Sequence, residues 1–258
     1  MGHLKGSFGK NRIYYDLCTM RKPEIVFADE ALLIISKPAD FLTIPDRFDP
    51  GIPSVLGFLR KQLGEQVFIV HRLDRETSGV MCFARTAEAH RDLSMQFEKR
   101  EVDKRYLAIV EGRFREEEGT VDAPLEPNPQ QGGTMRVGKD GKPSRTDWKV
   151  LEQFKDHALV ECQIHTGRMH QVRVHLAYIG HPLSVDPLYG RQADFYLSDI
   201  KKRYKISKQQ DEELPIMSRT TLHAHQLTLR HPVSGETLVF EVEPPKDFRA
   251  LLNQLRKH

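Results

Sequence analysis

Two apolar runs separated by a short, densely charged segment constrain this chain more than any other feature. Val67-Phe68-Ile69-Val70 and Val80-Met81-Cys82-Phe83-Ala84 are short, rich in β-branched and aromatic residues, and bounded by turn formers, which is the pattern of buried strands. Between them lies His71-Arg72-Leu73-Asp74-Arg75-Glu76-Thr77-Ser78-Gly79. If both runs enter a core, this segment must turn at its edge, with the Asp74 carboxylate between the guanidinium groups of Arg72 and Arg75. A turn anchored at both ends by core strands presents a side chain rigidly to a cleft. A lone Asp-Arg pair is otherwise an ordinary surface ion pair, so the rest of the chain has to decide.

The remaining pattern is many short strands with few helices. Ile25-Val26-Phe27 and Leu32-Leu33-Ile34-Ile35 flank a turn at Asp29-Glu30 and predict a hairpin whose second strand ends at Lys37-Pro38. Helical spacing over 54–63 places Ser54 as N-cap and Gly64 past the end; Thr86 caps a second helix with Ala89, Leu93 and Phe97 on one face. Strands are predicted at 106–110, 148–151 and 158–164, and a helix from Gln171 with Val172, Leu176 and Ile179 as its apolar stripe. Residues 127–143, dense in Gly, Pro and Asn, predict a long loop or hairpin, and their glycines match no phosphate-loop spacing. Without regular βαβ alternation, this is an α+β chain with a mixed, mainly antiparallel sheet and flanking helices. Residues 1–22 are expected to be a poorly ordered extension, with Met20 as an alternative start, and residues 23–258 to form one folded domain.

Composition narrows the partners. With 39 Lys+Arg against 36 Asp+Glu the net charge is only +3, which permits nucleic-acid binding without arguing for it. The three cysteines are widely spaced and form no C-x-x-C pair, fitting a reducing compartment. No apolar run approaches the ~20 residues of a membrane span. The expectation is a cytoplasmic protein without membrane contact, monomeric and with no obligate protein partner.

Two further clusters carry chemistry. His165-Thr166-Gly167-Arg168-Met169-His170-Gln171-Val172-Arg173-Val174-His175 holds three histidines five residues apart. On a helix that spacing turns the chain by about 140° from superposition, so His170 and His175 cannot share an ion, and no metal is expected. The other cluster is Lys104-Arg105-Tyr106-Leu107-Ala108-Ile109-Val110-Glu111-Gly112.

The first segment resembles the HRLD-x-x-TSG signature of RluA-type RNA pseudouridine synthases. The second resembles the TGR-x-HQ-[IL]-R-x-H motif of that family, and the third its K-x-Y-x-A-x-V-x-G segment. Weaker matches are Ser36-Lys37-Pro38-Ala39-Asp40, the stretch from Gly180-His181-Pro182 to Asp186-Pro187-Leu188-Tyr189-Gly190, Leu222-His223-Ala224 and His231-Pro232, so the resemblance covers about residues 24–248. It implies the pseudouridine synthase fold and an isomerase acting on structured RNA, ribosomal or transfer, without cofactor or metal. It also implies that Asp74 is the nucleophile, that Tyr106 contacts the target base, and that Arg173 pairs with Asp74. Many relatives carry a small RNA-binding domain ahead of the catalytic one, and too few residues precede Glu24 here to hold it. Asp40 and Val185 stand where the family usually has glycine, which puts the local loop shapes in question.

Physical chemistry supports these roles. An enclosed carboxylate needs a cation within about 4–6 Å to stay charged and oriented. A uridine inside a stem must be flipped out at a cost of a few kcal/mol. Arg72, two residues before Asp74, is expected to fill the vacated space or hold a phosphate, and Arg168 to contact phosphate or base. Lys201, Lys202 and Arg203, beside Tyr204 and preceded by Phe195 and Tyr196, are read as an RNA approach surface or, equally, as a solvated face. The rival readings are a non-catalytic RNA-binding or ribosome-assembly factor, and a hydrolase using Asp74 with His71 or His170. The second lacks any Ser/Cys-His-Asp order or carboxylate pair.

Overall fold

The computed structural model describes residues 22–49, 51–64, 66–202, 204–205 and 212–258; of the expected extension at 1–22, all but Lys22 therefore lies outside the described residues. The predicted hairpin is β1 (Glu24–Ala28) with β2 (Leu32–Lys37), paired antiparallel. Then come α1 (Val55–Leu63), β3 (Phe68–Ile69), β4 (Ser78–Ala84), α2 (Ala87–Glu98) and β5 (Asp103–Glu111). Short strands β6 (Glu118–Asp122), β7 (Leu125–Pro127) and β8 (Met135–Val137) lead to β9 (Arg145–Gln153) and β10 (His157–Ile164). The chain closes with α3 (Gln171–Tyr178), a 3-10 turn at Leu197–Asp199, β11 (Leu222–Arg230), β12 (Thr237–Glu241) and α4 (Lys246–Leu255).

The caps are where the sequence predicts them. Ser54 Oγ accepts from the Gly57 amide at 3.2 Å, Thr86 Oγ1 accepts from that of Ala89 at 3.1 Å, and Gly64 closes α1 at φ 92°. The Gly- and Pro-rich stretch holds the β7–β8 hairpin. One expectation is corrected: the run at 67–70 yields only the two-residue β3, which pairs with the far end of β4. Its continuation leaves the sheet to become the charged turn.

The main sheet runs β1-β2-β4-β11-β5-β10-β9-β6, with β3 added to β4 and β12 to β11. Its pairings are antiparallel except β4 with β11, which run parallel through Ser78–His223 and Gly79–Ala224. β5 lies mid-sheet with both faces covered. Leu107 and Ile109 join Phe248, Leu251, Leu252 and Leu255 of α4 in one core cluster, while Tyr106, Ala108 and Val110 join the other, with residues of α1, α2 and α3. This period-two alternation sends Lys104 and Tyr106 to the same face.

The glycine replacements keep their loops. Asp40 adopts the left-handed region at φ 63°, which aspartate tolerates better than most side chains, and its amide donates to Arg75 O at 2.9 Å. Val185 has no positive φ and adds a fully buried side chain to the α4 core.

Candidate active site

Asp74 sits on the turn between β3 and β4, and this turn is held from four directions. Thr43 Oγ1 bonds both the amide (3.2 Å) and the carbonyl (2.8 Å) of Leu73. From the end of β2, the fully buried Lys37 ammonium donates to Pro38 O, Arg75 O and Thr77 O at 2.8–2.9 Å. Ser78 Oγ bonds His223 Nδ1 at 2.9 Å across the parallel pairing. Gly79, at φ 127°, lies so close to β11 that a Cβ there would come within 2.1 Å of Ala224 O. Burial pulls Lys37 down to about 7, with the charges of Asp40, Glu76 and Asp74 opposing. Its three carbonyl acceptors require three N–H donors, which only the ammonium supplies.

Arg173, from the first turn of α3, is the cation facing Asp74. Its Nη1 is 3.6 Å from Asp74 Oδ2, but its strong bonds go elsewhere: Nε and Nη2 each donate to Asp186 at 2.7 Å. Asp186 is fully buried and also accepts from the Leu188 and Tyr189 amides at 2.9 and 3.1 Å. The guanidinium fork is thus locked by one carboxylate and offers its remaining nitrogen to another. Burial pulls the Arg173 pKa down, yet the bonds and charge of Asp186, with Asp74 and Glu76, more than offset this and raise it. The pairing of Arg173 with Asp74 implied by the resemblance is present, but as the weaker of two ion pairs.

Tyr189 and His170 complete this side. The Tyr189 ring lies 5.2 Å from the Arg173 guanidinium carbon, and its hydroxyl accepts from the Met135 amide at 2.7 Å and bonds His170 Nδ1 at 2.8 Å. His170, left-handed at φ 55°, points Nε2 at Asp74 Oδ2 from 3.9 Å. Burial and the Arg173 charge hold its pKa below the ordinary histidine range against Asp74, Asp186 and Glu76. In the neutral tautomer that accepts the Tyr189 hydroxyl at Nδ1, the single ring proton is on Nε2, toward Asp74.

Opposite, the buried Tyr106 closes the cleft. Burial first, and the Asp74 charge second, push its phenol pKa up, so near neutral pH it stays a neutral phenol that can donate a hydrogen bond but neither gives up nor takes up a proton readily. The cleft is about 170 Å³, with Ile164 and Leu222 as apolar wall, and Thr77 Oγ1 is buried there without a partner among the described residues. That volume is below the ~300–1,000 Å³ of drug-sized sites. It suits one ring rather than a helix segment.

The structure therefore brings Asp74, Tyr106, Arg173, Arg72 and Arg168 around one cleft. Lys201 and Lys202 are exposed and line neither it nor its neighbouring cavity, while Arg203 lies outside the described residues. Phe195 is fully buried in the α4 core, so its ring is closed to stacking. Lys37, Asp186 and Tyr189 were not singled out as site residues from the sequence, though each lies in a matched motif; His170 was weighed only as a metal ligand or hydrolase base. Among the described residues no group of three or more His, Cys, Asp or Glu could hold a metal, and no helix is long and apolar enough to cross a membrane.

Known proteins are similar to this chain in sequence and in fold. The family model described as RNA pseudouridylate synthase matches residues 31–178. The ribosomal large subunit pseudouridine synthase D of Nitrosomonas europaea is 40% identical over 238 residues, covering 90% of this chain; the chain spans 65% of that relative's length. The protein of the same name from Xanthomonas campestris is 35% identical over 90% of this chain and 69% of its own. Among solved structures, human RNA pseudouridylate synthase domain containing 4 superposes with a TM-score of 0.67 at 26% identity, covering 90% of this chain and 93% of that one.

Proposed function

Because the chain belongs to the RNA pseudouridylate synthase family, we propose that it isomerises specific uridines of RNA to pseudouridine, with Asp74 as the nucleophile. The observation that carries this reading is a single carboxylate in a one-ring cleft, facing Arg173 Nη1 at 3.6 Å with Tyr106 across from it. In the reaction the C1′–N1 bond breaks, the freed uracil rotates, and C1′ bonds to C5. C5 loses a proton and N1 gains one, so there is no net redox change or hydrolysis. Asp74 acts by attack on sugar or ring, or by assisting elimination at the sugar. Arg173, locked on Asp186, fixes where the Asp74 oxygens stand. Tyr106, a phenol held neutral by burial, orients the uracil and keeps water from the open sugar. The Thr77 hydroxyl is a partner for a polar edge of the base. Arg72 and Arg168, at the mouth, fill the stack left by the flipped base or hold its backbone.

Ribosomal RNA is the first substrate to test, since relatives are named for the large ribosomal subunit; transfer RNA is the second. Residues 23–258 would act as the catalytic domain. Wild type and Asp74→Asn are compared on total cellular RNA lacking the modification, with pseudouridine mapped by carbodiimide-dependent reverse-transcription stops. Stops with wild type, reduced by about 10³-fold or more in Asp74→Asn, support the reading. Binding without stops from either protein identifies a non-catalytic RNA-binding factor instead.

A further inference from the structure

A second cavity of about 440 Å³ adjoins the Asp74 cleft and shares Arg72, Tyr106 and Arg168 with it. Lys104 lines its inner wall, two residues before Tyr106 on the same face of β5 and so about 7 Å along the strand. Lys104 is 8% exposed, and its Nζ lies 5.6 Å from the Phe97 ring centroid. Among the described residues, no acceptor lies within hydrogen-bonding distance of this ammonium. Lys37, more deeply buried, has three. Burial, with Arg100 adding to it and Asp103 and Cys82 opposing, holds the Lys104 pKa below the ordinary lysine range, and a largely buried ammonium without an acceptor gains by meeting an anion. The ammonium thus opens to the cavity without a hydrogen-bonded counterpart.

Arg100, on the same cavity, carries a separate compromise. It follows α2 in the left-handed region at φ 61°; its amide bonds Phe97 O at 3.2 Å and the Glu101 amide bonds Gln96 O at 2.9 Å. This closure places glycine by default at the position Arg100 occupies. Four cations, Arg72, Arg100, Lys104 and Arg168, thus line a cavity in which Glu98 is the lone carboxylate.

Resting on the isomerase reading above, we propose that this cavity holds the backbone phosphodiester next to the uridine at Asp74, with Lys104 as its buried partner and Arg100 as its outer one. The volume accommodates the adjoining ribose as well as the phosphate. Sequence spacing explains the coupling of the two sites: Lys-x-Tyr on one strand puts the anion partner and the base-orienting ring side by side.

The test uses the full chain and an unmodified transcript of bacterial large-subunit rRNA, with binding followed by filter retention across potassium chloride concentrations. Lys104→Met is expected to bind about tenfold or more weakly and to show a log–log salt slope shallower by about 0.7–0.9, while Lys104→Arg keeps the wild-type slope. Arg100→Gly is expected to raise the melting temperature and still flatten the slope, a combination that a purely structural role would not produce. Folded Lys104→Met with an unchanged slope overturns the proposal. If Lys104→Met does not fold, Arg100→Gly decides, and wild-type affinity and slope in that variant overturn it. Unchanged slopes with pseudouridine still formed reject the subsite and leave the isomerase reading intact. Flattened slopes without pseudouridine formed by wild type keep the anion site and reject that reading.

Discussion

The floor of the Asp74 cleft and the wall of the neighbouring cavity both bury cations, and they treat them in opposite ways. Arg173, lining the cleft, spends two nitrogens on Asp186, and Lys37, behind the Asp74 turn, gives its three donors to three carbonyls. Every one of those charges is used to hold the chain in place. In the neighbouring cavity, Lys104 has an aromatic ring beside it and no hydrogen-bond acceptor among the described residues, and Arg100 occupies a glycine conformation. Burial alone therefore says little about a cation's role. The count of acceptors around it separates a charge that shapes the protein from one left for a ligand.

The strongest way to break this contrast is Arg173→Met, which strands the Asp186 carboxylate in the core. We expect a loss of roughly 3–5 kcal/mol in urea unfolding, largely recovered in the Arg173→Met/Asp186→Leu double variant. A loss below about 1 kcal/mol would show that the pair is not the anchor described. Lys37→Met should cost less, about 1–3 kcal/mol, since removing the buried charge partly offsets three abandoned carbonyls. Turnover should fall further than stability, because those carbonyls belong to the Asp74 turn. Equal kcat in folded protein would refute that positioning role.

The smallest effect sharpens the other side. His71 is held near pKa 3, by burial first and the Lys104 charge second, while its Nε2 accepts from the Cys82 amide at 3.1 Å. From the ordinary 6.5 downward, the unfolded chain takes up a proton that the folded chain refuses. Stability present above about pH 6.5 is thus lost as the pH falls toward 3. His71→Gln keeps an acceptor but removes the titration, so melting temperature against pH should flatten over that window. It should not become flat, because His223 is likewise held down, at about 4. An unaltered acid limb would mean His71 is already protonated in the fold.

Much of this was legible from residues alone, and the boundary has a physical cause. Helix caps and the period-two strands are local, so Ser54, Thr86 and β5 could be read directly. The association of Asp74, Tyr106 and Arg173 came from motif resemblance, not from any local pattern. Asp186 and Lys37 act through partners 13 and 38–40 residues away, and spacing cannot reveal such contacts. The basic stretch at 201–203 shows the other side of the same limit. Cations adjacent in sequence drew attention, whereas the cationic wall in space is assembled from Arg72, Arg100, Lys104 and Arg168, none adjacent to another.

The seating of Gly79 against Ala224 has a consequence in time. β11 lies between β4 and β5, and it is synthesised about 145 residues after the turn it clamps. At ~5–20 residues per second, the ribosome delivers Asp74 many seconds before the strand that fixes its position. Parallel pairing across such a separation is slow to nucleate. Until β11 slots in, the Ser78–Gly79 end of β4 is an open edge, so the nascent chain is exposed to mispairing in that interval. Catalytic competence should arrive abruptly and late, as the last central strand enters the sheet.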